Sequence, residues 1–107
     1  MENHTHNVEQ FPLIIKVRVT RKDLKNRYNG PTSCPIYRAL KRNFPHLAFM
    51  VGSTRVHAWD YSRMDNGAFP CYEYNLERKY DKKAFWRSGN SLWGRIMGGF
   101  DVVLVRR

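Results

Sequence analysis

The sequence contains no apolar run long enough to cross a membrane. Its longest apolar stretches, LII, LAFMV and VVLV, are far shorter than the roughly 20 residues that a membrane-spanning helix needs. The beginning of the chain, MENHTHNVEQF, also lacks the basic and apolar regions of a secretory signal. We therefore expect a cytoplasmic protein that has no membrane partner.

Cysteine is scarce, because Cys34 and Cys71 are the only two in 107 residues. Two cysteines do not make a disulfide framework, and cytoplasmic thiols are kept reduced, so both are predicted to be free thiols. Cys34 also precedes a predicted helix that carries Arg and Lys. This position predicts a lowered pKa and some reactivity of its thiol.

The spacing of a metal site is absent as well. Cys34, His46, His57 and Cys71 are chemically suited to zinc, yet the chain has no Cys-x-x-Cys or His-x-x-x-His pair to preorganise such a site. Isolated Cys and His side chains usually pack in the fold or face solvent. The sequence therefore predicts neither a metal ion nor another cofactor.

Catalytic motifs are missing too, since there is no Ser-His-Asp pattern and no phosphate-binding glycine loop. One enzymatic alternative is a metal-dependent nuclease. Glu77 and Lys79 have a Glu-x-Lys spacing, and Asp60 or Asp65 would supply a second carboxylate for Mg²⁺. Such short patterns are common by chance, and this one falls on a predicted helix rather than a strand. We therefore predict a protein without enzymatic activity.

Acidic residues are few relative to basic ones. Nineteen Lys and Arg against nine Asp and Glu give a formal net charge of +10, and aromatic residues are frequent at 14%. On so small a domain, this charge produces a positive field over much of the surface. Such a field attracts polyanions, which include nucleic acid, acidic proteins and anionic membranes.

The pattern of apolar residues predicts one α+β domain over residues 11–107, after a flexible tail of residues 1–10. The predicted order is β-α-α-β-β-loop-α-β, which indicates a mainly antiparallel sheet packed by helices. The first strand spans residues 13–20, where apolar and polar residues alternate. The residues expected to face the core are Leu13, Ile15, Val17 and Val19.

A short helix is predicted over residues 21–27. The sequence TRKD is a capping box, in which Thr20 and Asp23 satisfy backbone groups at the start of the helix. Leu24 and Tyr28 are its apolar anchors, so the helix is expected to be brief.

A longer helix is predicted to begin after Ser33 or Cys34, with Pro35 in its first turn, and to end before Pro45. At about 100° per residue, its apolar and basic side chains separate onto opposite faces. The apolar face consists of Ile36, Tyr37, Ala39, Leu40 and Phe44. The basic face consists of Arg38, Lys41 and Arg42.

The remaining elements are a hairpin, a loop, a helix and a strand. Residues 47–51 and 55–59 form the hairpin, with a positive φ expected at Gly52. A loop over residues 60–74 follows.

The last helix is predicted over residues 76–88, with Asn75 as its cap and Gly89 at its end. One further short turn and a final strand complete the chain. The core residues expected in this strand are Phe100, Val102 and Leu104.

The segment of residues 78–87 is the strongest candidate for a binding surface, because five of its ten residues are cationic. On a helical wheel, Leu76, Tyr80 and Ala84 form the core face, whereas Trp86 falls among the cations. Cations neutralise phosphates and an indole stacks on a base, so this pattern indicates nucleic-acid binding. The alternative is that Trp86 folds back under the preceding loop. The predicted site consists of Arg78, Lys79, Lys82, Lys83, Trp86 and Arg87, helped by Arg38, Lys41 and Arg42.

Eight aromatic residues fall between positions 59 and 86, which is more than so small a domain easily buries. Part of this aromatic surface is therefore expected to be exposed. Tyr, Trp and Arg dominate the hot spots of protein–protein interfaces. The same region is thus suited to an acidic partner protein, and it is compatible with a homodimer.

A sequence pattern in residues 13–42 carries a resemblance to other proteins. It comprises Val-x-Val-Thr-x-x-Asp-hydrophobic, a loop with Gly, and Cys-Pro-hydrophobic-x-x-Ala-Leu-x-Arg. Here the pattern is VRVTRKDL (17–24), Gly30 and CPIYRALKR (34–42). In this it resembles a loosely defined group of short, mostly uncharacterised phage-encoded proteins. The resemblance implies a small α+β domain and a phage origin, and it leaves out the aromatic and basic region of residues 60–90.

Two functions follow as alternatives. The first is a non-enzymatic phage accessory protein that binds DNA or RNA, with little sequence preference, through a basic and aromatic surface. The second is a host-takeover inhibitor that docks on an acidic surface of a bacterial protein, such as a nuclease, polymerase or defence complex. Either protein is expected to act in the cytoplasm of an infected bacterium.

Overall fold

The computed structural model describes four parts of the chain, residues 11–25, 34–60, 71–89 and 92–107, with 93 and 94 as backbone only. In these parts the chain is a small α+β domain with one antiparallel sheet, so the predicted fold class is confirmed. Several sequence predictions lie outside the described residues. They are the flexible tail, the second half of the first short helix and most of the predicted loop after residue 60.

The strands that the structure describes form one sheet in the order β1-β5-β4-β3-β2, and all neighbours are antiparallel. They are Ile14–Val19 (β1), Ala48–Val51 (β2), Arg55–Trp59 (β3), Cys71–Asn75 (β4) and Phe100–Arg106 (β5). The predicted first strand, hairpin and last strand are therefore confirmed. The prediction that Leu13 faces the core is wrong, because Leu13 precedes β1 and is 65% exposed.

Strand β4 lies where the sequence pattern predicts a loop. It pairs with β3 along its whole length and with β5 at its end. Tyr74 is buried in this strand, whereas Cys71 and Tyr72 are exposed. Because no apolar alternation marks the segment, its strand conformation follows from pairing with its neighbours rather than from a local pattern.

The turn between β2 and β3 also differs from its prediction. Gly52 does not have a positive φ. The strands pair up to Val51 and Val56, so the connection is longer than the two-residue turn that demands such a conformation. The Gly52 N–H instead donates a hydrogen bond of 2.8 Å to the Arg55 carbonyl.

The helices of the described residues are Arg21–Leu24 (α1), Pro35–Asn43 (α2), Arg78–Arg87 (α3) and Leu92–Met97 (α4). Helix α2 begins as predicted, with Cys34 as its N-cap and Pro35 at its first position. Helix α3 begins later than predicted, with Glu77 rather than Asn75 as its N-cap, because Asn75 is paired in the sheet. None of these described helices is both long enough and apolar enough to cross a membrane.

The sheet curls around α2, and both of its edge strands, β1 and β2, contact this one helix. The buried side chains of α2 and of the inner face of the sheet form the core. They include Ile36, Ala39 and Leu40 of α2, Ile15, Val17 and Val19 of β1, and Val102 and Leu104 of β5. Helix α3 contacts α2 and α4, and α1 contacts the same two helices, so the four helices adjoin one another.

Tyr74 ties β4 to the segment that leads into β1. Its side chain is buried, and its hydroxyl donates a hydrogen bond of 2.8 Å to the Pro12 carbonyl. Burial raises the pKa of Tyr74 to about 12. Beside this contact, the rings of Phe11 and Tyr72 lie 4.5 Å apart, which closes the same end of the core.

Tyr74→Phe is expected to lower the free energy of unfolding at pH 7 by about 1 kcal/mol, because it removes the hydrogen bond to Pro12. The folded pKa of Tyr74 lies above the ordinary value of 10, so its contribution to wild-type stability is intact below pH 10 and declines as the pH rises toward 12. The variant lacks this loss. Urea denaturation at pH 7 and between pH 10 and 12 should show that the difference in unfolding free energy between wild type and variant narrows as the pH rises. A constant difference would contradict the assignment.

Candidate functional site

The residues of α3 predicted as a site lie in two neighbouring rows, since residues four apart share a helix face. One row is Arg78, Lys82 and Trp86, and the other is Lys79, Lys83 and Arg87. The opposite face packs into the core through Tyr80 and Ala84, which are buried as predicted. Trp86 is 61% exposed, and its ring meets that of Phe85 edge-on at 5.5 Å.

The C-terminal half of α3 and the end of α4 border a surface cavity of about 410 Å³, which we call the α3–α4 cavity. It lies within the range of about 300–1,000 Å³ that is usual for small-molecule sites. Its lining is formed by Lys82, Lys83, Trp86, Arg87 and Met97. The structure thus brings four residues of the predicted site together around one cavity, whose surface is mostly carbon.

The aromatic ring of Phe100 contacts two of these cations. The ammonium of Lys83 lies 5.8 Å from the centre of the Phe100 ring, and the guanidinium carbon of Arg87 lies 5.4 Å from it. A cation over an aromatic face is held by the ring's electron density. The Arg87 guanidinium also donates to the Gly98 and Gly99 carbonyls at 3.5 and 3.4 Å. These contacts favour a position of the Arg87 guanidinium beside the cavity.

A second cavity of about 510 Å³ adjoins the first, and we call it the α1 cavity. Its lining is formed by Arg21, Lys22, Leu24, Lys25, Arg87, Gly89 and Arg95. Arg87 lines both cavities, so the two share a border. None of the described residues that line either cavity is acidic, which makes this the kind of surface that attracts an anion.

The sequence patterns do not identify the cations of the α1 cavity as site residues. The sequence predicts only a short helix around Arg21, Lys22 and Lys25. Around Arg95 and Met97 it predicts only a short turn. The cationic run RKDLK is the available sequence signal, since it places three cations in five residues. This cationic run does not indicate that α1 lies next to the end of α3.

Hydrogen bonds from α1 to the end of α3 and to α4 place α1 at that position. The Gly89 N–H donates a hydrogen bond of 2.7 Å to the Leu24 carbonyl. Gly89 has a φ of 69° and ends α3, as predicted, because glycine adopts this conformation without strain. The Arg21 guanidinium donates to the Arg95 carbonyl, which joins α1 to α4. A Cβ at Gly99 would lie 2.2 Å from the Val19 carbonyl oxygen, so only glycine allows the chain after α4 to pass this close to β1.

The buried carboxylate of Asp23 fixes the orientation of α1. It accepts a hydrogen bond of 2.9 Å from the Thr20 N–H, while the Asp23 N–H donates to the Thr20 hydroxyl at 3.3 Å. This is the predicted capping box, which is confirmed. The Arg42 guanidinium binds the same carboxylate and donates to the Arg18 carbonyl at 2.8 Å. Arg38 donates to the Asp23 carbonyl at 2.7 Å.

The three cations of α2 are thus engaged in holding the fold. Besides Arg38 and Arg42, the Lys41 ammonium donates to the Pro45 carbonyl at 3.0 Å and to the Leu47 carbonyl at 2.6 Å. Among the described residues that line the two cavities, none comes from α2. A direct role of these three cations in binding stays a prediction.

Arg78 and Lys79 lie at the other end of α3 from the cavities. Both are exposed, and the Lys79 ammonium lies 3.6 Å from the Glu77 carboxylate and 5.2 Å from the Tyr80 ring centre. They extend the cationic rows of α3 by one turn. Their place is the margin of the site rather than its centre.

The groups considered for metal chemistry are dispersed. Glu77 is exposed at the start of α3, and Asp60 is buried at the end of β3. No group of three or more His, Cys, Asp or Glu with the geometry of a metal site occurs among the residues that the structure describes. Asp65 lies outside those residues.

The two cysteines are free thiols in different surroundings. Cys34 is buried and caps α2, where its sulfur accepts a hydrogen bond of 3.4 Å from the Tyr37 N–H. The predicted lowering of its pKa is wrong. Burial raises the pKa of the Cys34 thiol, and this effect outweighs the hydrogen bonds from the helix start. Cys71 is exposed on β4, where partial desolvation and the nearby Glu73 raise its pKa.

Comparisons with protein-family models, with curated proteins and with solved structures found no match to this chain. The two adjoining cavities are therefore interpreted from their own residues and geometry. They form one cationic surface with an exposed indole, built from the ends of α1, α3 and α4.

Asp23→Asn is expected to lower the free energy of unfolding by about 1.5–3 kcal/mol, because it weakens charge-assisted hydrogen bonds to Thr20 and Arg42. Asp101→Asn is the matched control. It removes the same charge from an exposed pair with Arg18 at 3.2 Å, for which less than about 1 kcal/mol is expected. Urea denaturation of both variants measures the two losses. Equal losses would show that Asp23 does not anchor α1.

Iodoacetamide is expected to label Cys71 in the native protein and to label Cys34 only after unfolding, because Cys34 is fully buried and its thiol pKa is raised. Peptide mass spectrometry after labelling with and without urea separates the two sites. The Cys71→Ser variant should take up no label while folded. Labelling of Cys34 at native conditions would contradict its burial.

Proposed function

We propose that this protein binds nucleic acid through the joined α3–α4 and α1 cavities, with the phosphates on the cations and a base near Trp86. The observation that carries the proposal is that Lys82, Lys83, Trp86 and Arg87 line one cavity, and that Arg87 also lines a second, strongly basic one. Phosphate binding needs cations that are not already neutralised by the protein. The described lining of both cavities supplies Lys and Arg without Asp or Glu.

The predicted mechanism is neutralisation of phosphates together with stacking. Lys and Arg release counterions from the nucleic-acid backbone, which gives affinity without sequence preference. An exposed indole adds stacking, which every base can accept. Neither phosphate neutralisation nor base stacking requires catalysis, so we propose a non-enzymatic accessory protein. The resemblance of residues 13–42 to phage-encoded proteins supports a role in an infected bacterium.

The test is fluorescence anisotropy with labelled DNA and RNA, both single-stranded and duplex, from low to physiological salt. Lys82→Ala/Lys83→Ala should bind more weakly and should reduce the slope of log affinity against log salt by roughly 1.4–1.8, as expected for two lost phosphate contacts. The control, Lys16→Ala/Arg55→Ala, removes the same charge from exposed residues of β1 and β3. Both residues are exposed and stand beside buried residues of their strands, so their side chains point away from the core.

The control variant is expected to keep the wild-type slope. Absence of binding at physiological salt, or equal loss in the two double variants, would contradict the proposal. In that case the alternative of an acidic bacterial protein as partner becomes the leading one, and a pull-down from host lysate would follow.

A further inference from the structure

The two adjoining cavities differ in chemistry. The α3–α4 cavity presents the indole of Trp86 and the thioether of Met97 on a mostly carbon surface, with Lys82 and Lys83 at its edge. The α1 cavity presents Arg21, Lys22, Lys25 and Arg95 and has a much more polar surface. One cavity is thus suited to a flat apolar group, and the other to an anion.

A nucleotide carries both a flat base and an anionic phosphate, but only an unpaired nucleotide exposes the face of its base together with its phosphate. In a duplex the faces of each base are covered by the neighbouring base pairs, and proteins reach the base edges through the grooves. The exposed part of an indole in a carbon-lined cavity can stack on the face of a base. A duplex, whose base faces are covered, would offer the Trp86 indole no stacking surface.

Arg87, which lies at the border between the cavities, already has contacts within the fold. Arg87 lies over the Phe100 ring and donates to the Gly98 and Gly99 carbonyls, so its guanidinium has few positions open to it. A preordered cation loses little conformational entropy when it binds a phosphate. Arginine carries five N–H donors, so the contact with two carbonyls leaves donors for a phosphate as well.

We propose that the protein selects single-stranded nucleic acid over duplex. One unpaired base stacks on Trp86 in the α3–α4 cavity, its adjacent phosphate binds Arg87, and the following phosphate binds the cations of the α1 cavity. This inference rests on the proposed function and names the substrate class of the same site. Single-stranded DNA and RNA share the chemistry that this surface recognises.

The experiment compares short oligo-dT and oligo-U with hairpin duplexes of equal phosphate number at one salt concentration. The wild type should bind the single strands about tenfold or more tightly than the duplexes. Trp86→Ala should lose about tenfold in affinity for the single strands and leave duplex affinity within about twofold. Trp86→Phe, which keeps an aromatic face, should retain most of the single-strand affinity. The oligo-dT and oligo-U arms show which sugar the site accepts.

An abasic oligonucleotide isolates the stacking contact, because it keeps the phosphates and removes the bases. The wild type should bind it about as weakly as Trp86→Ala binds oligo-dT, and Trp86→Ala should not distinguish the two ligands. The control is Trp59→Ala, since Trp59 stacks on His57 at 6.0 Å on β3, away from the cavities. It should keep the single-strand preference, and circular dichroism checks that each variant is folded.

The outcomes separate the two proposals. Equal affinity for single strands and duplexes, or a Trp86→Ala variant that weakens both alike, overturns the single-strand selection while salt-dependent binding still supports the proposed function. Tighter binding of duplexes also overturns it. Absence of binding to every nucleic acid overturns both.

Discussion

The carboxylate of Asp23 is the group on which the arrangement of the site depends. It is buried, and it joins three elements, because it belongs to the capping box of α1, accepts a hydrogen bond from the N–H of Thr20 directly after β1, and binds Arg42 of α2. A buried carboxylate is stable only when its oxygens are paired, so this contact allows one orientation of α1. In that orientation Asp23 and Leu24 are buried, and Arg21, Lys22 and Lys25 face outward toward the end of α3.

Gathering these cations has an electrostatic cost. The protein carries a formal net charge of +10, and like charges at one surface repel each other. Backbone carbonyls of residues 95, 98 and 99 and the face of Phe100 offset part of this repulsion. They are dipoles and a quadrupole rather than full charges, so the surface stays positive. A polyanion that binds there relieves the repulsion, and its binding is expected to stabilise the fold.

The elements with strong local patterns could be predicted from the sequence. The alternation of β1, the capping box at Thr20, the proline start of α2 and the cationic rows of α3 depend on neighbouring residues, and the structure has all four. What depends on tertiary contacts could not be predicted. Strand β4 forms through pairing with β3. The pKa of Cys34 is raised by burial, which the position of a thiol at a helix start does not predict.

The site itself was predictable only in part, for the same reason. The α3 residues of the site share one helix, so their proximity follows from helical spacing. The cations of α1 and α4 join them through the contact of Gly89 with Leu24 and of Arg21 with the Arg95 carbonyl. Nothing local to either segment encodes those contacts. Conversely, nothing local in the sequence indicates that the cations of α2 bind backbone carbonyls and the Asp23 carboxylate.

The most direct test of the central claim is a titration of ¹⁵N-labelled protein with a short single-stranded oligonucleotide, followed by amide chemical shifts. If the joined cavities form the binding surface, the largest shifts fall on α1, the second half of α3 and α4, together with the indole N–H of Trp86. The amides of β2 and β3 should change little. Shifts concentrated on the outward face of the sheet, or spread evenly over the protein, would contradict the assignment of binding to this surface.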